Sequence, residues 1–237
     1  MVRIPNSYLP KGFFLAQDAP VNRVPALLAA AALLAGCQSA YYAAAEKVGY
    51  AKREILVDRV ESARDAQQDA REEITDALTE FRKVVDFEGG ELEKRYKALD
   101  AQLKDSERAA DAVRSRIAAV EDVAGALFKE WQDELGQYSS PTLRARSEEQ
   151  LRQTKARYGE MIGAMKRAEA RLEPALTPLR DQVLFLKHNL NAQAVAGLKG
   201  EVVRVDAEVN RLVQELDAAI AEADRFIAEL DAAGGAS

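Results

Sequence analysis

The 237-residue chain carries 33 basic and 39 acidic residues, a formal net charge of −6, which disfavours nucleic acid as a partner. A single histidine and a single cysteine exclude an internal disulfide, a metal site with two histidine ligands and most histidine-paired nucleophile designs. With 30% charged and 6% aromatic residues, the composition is that of a solvated helical protein with a thin core.

Residues 1–36 hold only four charges, Arg3, Lys11, Asp18 and Arg23. Arg23 precedes an uncharged apolar run, Val24 to Gly36, that ends in small residues. It is shorter than the roughly 20 residues a spanning helix needs and fits the core of a secretory signal. The run closes on Leu34-Ala35-Gly36-Cys37, which resembles the lipobox of bacterial lipoproteins. That resemblance implies cleavage before Cys37, lipid on its sulfur, and a tether over 37–50. Several acyl chains on one residue would anchor stably where one would not. A plain secretory signal, or an uncleaved anchor before an unmodified thiol, is the competing reading. Gln38 stands where an Asp would, by resemblance to enterobacterial sorting, direct retention at the inner membrane. The resemblance therefore implies the outer membrane, facing the periplasm. From Cys37 onward there are 30 basic and 38 acidic residues, interleaved as on solvated helix faces with many i,i+4 pairs.

Apolar residues then recur in alternating steps of four and three, the seam of a helix that faces a partner helix. The first seam runs Leu56, Val60, Ala63, Gln67, Ala70, Ile74, Ala77, Phe81, Val84 and stops at Gly89-Gly90, a helix terminus and reversal. The second runs from Leu92 through Leu99, Leu103, Ser106, Ala110, Val113, Ile117 and Val120 to Trp131 and ends in a turn at 136–141. There Ser140-Pro141 predicts an N-cap with proline at the first helical position. The third carries Leu151, Tyr158, Met161, Met165, Ala168, Leu172, Ala175 and Leu179, and then slips in phase to Val183, Leu186 and Leu190. Pro174 and Pro178 predict a kink there, or two shorter helices. The fourth, after Gly197 and Gly200, runs Val202, Val205, Val209, Leu212, Leu216, Ala219, Ala223, Phe226, Leu230. Short turns make neighbouring helices antiparallel. The expected fold is all-α: an elongated antiparallel bundle of coiled-coil character with three to four long helices over 51–231, and a disordered tail at 232–237.

No Gly-rich phosphate loop is present, since Gly89-Gly90 lacks the Lys-Ser/Thr that would follow. Carboxylate pairs such as Glu72/Glu73 and Glu148/Glu149 sit among basic neighbours and read as surface charge. A Glu-x-x-His di-metal motif fails because residue 185, three before His188, is Phe. The expectation is a non-enzyme with no catalytic residues, cofactor or metal.

One stretch departs from the rest: Val183 to Leu198 carries a single formal charge, Lys187. Its plain reading is a helix buried on most of its circumference, with its amides fixing register inside the bundle. Its sharper reading is a contact surface for a protein or an envelope polymer, built from Leu184, Phe185, Lys187, His188, Asn189, Asn191, Gln193 and Val195. In that reading Leu184, Phe185 and Val195 are the apolar anchors and the amides give specificity. A Lys187–His188 active-site pair is a third.

The run Lys52 to Val60, the turn Phe87-Glu88-Gly89-Gly90-Glu91-Leu92-Glu93, Trp131-Gln132-Asp133-Glu134-Leu135 with Tyr138-Ser139-Ser140, and Asp181 to Ala194 together resemble a bacterial family, Domain of Unknown Function 2959, over most of the chain after Cys37. The resemblance implies kinship and no activity. The expected function is a lipid-anchored envelope protein that holds or bridges components, with membrane contact through Cys37. A helical module lying on and shaping a lipid surface, or a cell-wall enzyme, are the alternatives. Seams that pair within one chain also pair between chains, so a homo-oligomer is compatible with the sequence.

Overall fold

The structure is a computed structural model that describes residues 52–87 and 89–234. The chain divides into units 1–48 and 49–237. The expected signal segment and tether, with Cys37, lie outside the described residues.

The described residues form five α-helices and no strand: α1 (Lys52–Val85), α2 (Leu92–Glu134), α3 (Pro141–His188), the short α4 (Ala192–Leu198) and α5 (Val202–Gly234). A 3-10 turn, Leu135–Gln137, follows α2. The seams are what fold. All nine seam positions of α1, from Leu56 to Val84, are fully buried. On α5 so are Val205, Leu212, Leu216, Ala219 and Ala223.

The four long helices pack in a ring. α1 lies against α2 and α5, α3 lies against α2 and α5, and the α1–α3 diagonal touches little. Ion pairs between helices fix the direction of each neighbour. Early residues of α1 pair with late residues of its partners, Lys52 with Glu130 at 2.8 Å and Arg64 with Asp224 at 3.1 Å. Arg82, near the end of α1, meets Asp206 at 2.9 Å. Lys166–Glu121, Arg180–Glu107 and Arg157–Glu229 order α3 against α2 and α5 in the same way. Every neighbouring pair is antiparallel.

The turns follow from local chemistry. Between α1 and α2 the backbone takes φ of +141° at Gly89 and +112° at Gly90, values that a side chain would strain. Ser140 caps α3 by accepting a hydrogen bond from the Leu143 N–H, with Pro141 at the first turn where its missing N–H costs nothing. The other two prolines do not divide α3 into two helices: Pro174 and Pro178 both lie inside one 48-residue helix. Packing on α2 and α5, with Leu172, Ala175, Leu176 and Leu179 buried around the prolines, holds the turns on either side together. Pro178 is itself buried, and Pro174 is exposed, where water can take the hydrogen bond its ring denies to Ala170. α5 also runs past residue 231 to Gly234, because Asp231, Ala232 and Ala233 continue a helix readily.

Four buried polar side chains interrupt the core. Ser106 Oγ sits 2.9 Å from the Glu73 and Gln102 carbonyl oxygens, and Ser147 Oγ accepts the Trp131 Nε1–H at 2.8 Å. Gln182 is 7% exposed. Gln67 is fully buried in the α1 seam, and neither its Nε2 nor its Oε1 has a hydrogen-bond partner.

Candidate functional site

The antiparallel ring gives the bundle two ends. α1 begins and α2 stops at one, together with the 135–140 connection. The other holds the Gly89-Gly90 turn and the α3–α4–α5 connection. The low-charge stretch singled out in the sequence lies at this second end.

Its local structure is set by two asparagines. α3 stops at His188, after Lys187 and His188 place basic side chains in its last turn, where the helix dipole favours them. The Asn189 side-chain amide donates to the Phe185 carbonyl at 3.0 Å and its N–H to the Leu186 carbonyl at 3.1 Å. Two residues on, Asn191 Oδ1 accepts the Ala194 N–H at 2.9 Å and caps α4. α4 then turns Ala194, Val195 and Leu198 inward, packing on α1 and α3.

The expected contact set is therefore split. Leu184 and Phe185 stand in solvent, 57% and 44% exposed, and Lys187, His188, Asn191 and Gln193 are exposed beside them. A helix buried around most of its circumference is thus not what forms. Only one stripe of α3 here, Gln182, Val183 and Leu186, is buried. Val195 is corrected from surface anchor to core, at 3% exposed, because α4 presents it to α1 and α3. Asn189 and Asn191 are corrected from register groups inside the bundle to helix caps, each committing one side-chain hydrogen bond to the backbone.

Two apolar residues join Leu184 and Phe185 at this end: Leu190, 39% exposed, and Val203, 75% exposed. Sequence periodicity placed Leu190 on the seam, but it falls two residues beyond the end of α3, where helical spacing no longer applies. Val203 had a usable signal, because it lies one position off the Val202–Val205–Val209 seam. The basic residues Lys187, Lys199 and Arg204 stand among these apolar side chains with one carboxylate, Glu201, which Arg204 holds at 2.9 Å. Lys187 and Lys199 pair with no carboxylate among the described residues.

Elsewhere many charged groups are engaged with one another, while others, among them Arg116, Lys129, Arg146 and Arg171, pair with no carboxylate among the described residues. Arg180 and then Thr177 hydrogen-bond Glu173 and hold its carboxyl below the usual carboxylate range. Gln153 and then Arg152 do the same for Glu149. Among the described residues no group of three or more His, Cys, Asp and Glu side chains is arranged to hold a metal. No described helix is long and apolar enough to cross a membrane. His188 and Lys187 are exposed at a helix end, with no enclosing wall to desolvate either.

No curated protein and no solved structure matches the chain. A family model described as "Protein of unknown function (DUF2959)" matches residues 41–230, most of the chain and nearly all of the bundle, and the chain belongs to that family.

Proposed function

We propose that the protein is a lipid-anchored, non-enzymatic component of the bacterial cell envelope, held by Cys37 to the outer membrane on its periplasmic side, and that it holds or bridges envelope components. The observation that carries this reading is the placement of its exposed apolar side chains. Of the six large apolar side chains exposed among the described residues, four, Leu184, Phe185, Leu190 and Val203, lie at the end opposite the one where the chain enters α1, and two, Tyr138 and Leu143, lie at the near end. An anchor before one end and an apolar contact at the other make a spacer. At about 1.5 Å per residue, the 34 residues of α1 set the two ends roughly 50 Å apart. A coiled-coil-like, elongated bundle belongs to this reading, and so does a kink of α3 at Pro174 and Pro178.

The test is in-cell crosslinking followed by mass spectrometry of what co-purifies, comparing wild type with Cys37→Ala and Phe185→Glu, with helix content followed by circular dichroism. Specific envelope components that require Cys37 and disappear with Phe185→Glu at unchanged helix content support the reading. Capture that ignores both substitutions overturns it.

A further inference from the structure

Resting on that reading of the far end as a contact site, we infer that what it contacts is an anionic lipid surface. The argument begins with size. Four partly exposed apolar side chains at one end of a bundle offer at most a few hundred Å² of apolar surface, the scale of a functional patch. A stable protein pair needs about 800 Å² from each partner. A second copy docked end to end falls short of that.

The second step is how little oriented polar recognition is left. A protein groove is recognised through apolar anchors together with oriented polar groups. Here two of the three amides are engaged by the fold, Asn189 on the Phe185 carbonyl and Asn191 on the Ala194 N–H, and the third, Gln193, is exposed. What dominates is apolar side chain and positive charge at a helix end. A fluid lipid surface asks for nothing more, since it takes in protruding Leu, Phe and Val without shape matching.

The third step is charge. Between Leu184 and Arg204 stand three cations, Lys187, Lys199 and Arg204, and His188, against the single carboxylate Glu201, in a chain whose net charge is −6. Anionic headgroups attract such a cluster. The opposing charges define which corner docks. Asp181 lies one turn back along α3, and Asp86, Glu91 and Glu93 flank the α1–α2 turn with Lys94 and Lys97. The contact is therefore the α3–α4–α5 corner, with the acidic α1–α2 turn held away.

The experiment uses the full chain with Cys37→Ser and a single new cysteine carrying an environment-sensitive fluorophore, at Gln193→Cys beside the patch or at Thr142→Cys at the other end. Both sites are exposed. Reading the label by position separates docking of this corner from any binding through residues 1–36. With vesicles of phosphatidylcholine containing a third phosphatidylglycerol, the label at 193 moves to an apolar environment and the label at 142 does not. Phosphatidylcholine alone produces a far smaller change. Phe185→Ser weakens the response roughly tenfold or more, and Lys187→Glu and Lys199→Glu weaken it roughly fivefold each, all at unchanged helix content.

A label at 193 that stays in water on anionic vesicles overturns the proposal. If Phe185→Glu still abolishes partner capture in cells, the partner is a protein or polymer and the bridging reading survives. If capture is also unaffected, both fall. A label already shielded before vesicles are added likewise overturns it, because the patch is then covered by this chain or by a second copy.

Discussion

At the end of the bundle where α1 begins, Phe128 meets Tyr158 edge to face at 5.3 Å between ring centroids, and Tyr158 meets Phe226 at 6.4 Å. Lys155 lies 5.7 Å over the Phe128 ring, and burial, with Glu121 nearby, pushes the Tyr158 hydroxyl up to about 12. At the other end Phe185 stands beside Leu184 with no described ring against it. Both ends are built from the same kind of seamed helix. The difference is that three helices contribute rings at the first end and these three meet at Tyr158, although Tyr138 and Leu143 nearby stay 43% and 52% exposed. At the second, α3 contributes two apolar side chains on its outward side and its neighbours contribute none to meet them. Periodicity governs what faces inward along a helix. It does not govern whether an outward apolar residue will find a cover, and that is what separates Phe185 from the rings of Phe128, Tyr158 and Phe226.

The sharpest way to break this contrast is to truncate one phenylalanine of each kind. Phe81 is fully buried, so Phe81→Ala costs about 3–5 kcal/mol, while Phe185→Ser stays within about 0.5 kcal/mol of wild type in urea denaturation. An equal loss at both positions would make the far end core. The next effect has the opposite sign. Both amide atoms of Gln67 are buried without partners, and Gln67→Met removes that penalty at similar volume, raising stability by about 1–2 kcal/mol, read as a higher denaturation midpoint at unchanged slope. A drop would mean that the amide is satisfied in solution.

Asn191→Ala removes the α4 cap and costs about 1 kcal/mol. The loss is confined to the far end, so hydrogen exchange quickens at Ala194 and Val195 and leaves the amides of α2 unchanged. Smallest is Glu173. Its carboxyl is held low in the folded state by Arg180 and then Thr177, so its contribution is present above the unfolded carboxylate pKa and is lost as pH falls through the lower folded value. Glu173→Gln therefore costs under about 1 kcal/mol at neutral pH, as expected for an exposed pair. That cost vanishes in acid, measurable as two denaturation curves that converge below the usual carboxylate range.

Much of the bundle was legible because burial repeats every three or four residues. Leu56 to Val84 and Val205 to Leu230 announce the cores of α1 and α5, and Gly89-Gly90 and Ser140-Pro141 announce two of the turns. The pairings across helices were not legible. Arg64 with Asp224 and Lys166 with Glu121 depend on tertiary register, and the sequence offers many local partners of equal quality. Pro174 and Pro178 misled only as to two shorter helices, because the local penalty of a proline is visible in sequence, while the packing that keeps α3 in one piece is not. At the candidate site Leu184 and Phe185 were legible as apolar residues in a low-charge stretch. Val195 was misread because α4, too short for a clear period, decides which way it turns. The capping role of the asparagines was missed because a side chain that caps a helix looks in sequence like one that fixes register or meets a partner.

The most direct test of the central claim places a photoreactive amino acid at Phe185 and, separately, at Thr142, in cells carrying Cys37 or Cys37→Ala. The account predicts abundant conjugates from position 185 that depend on Cys37, and few from position 142. Equal yields from the two ends, or conjugates from 185 that are indifferent to Cys37, would contradict an anchored spacer whose contact lies at its far end.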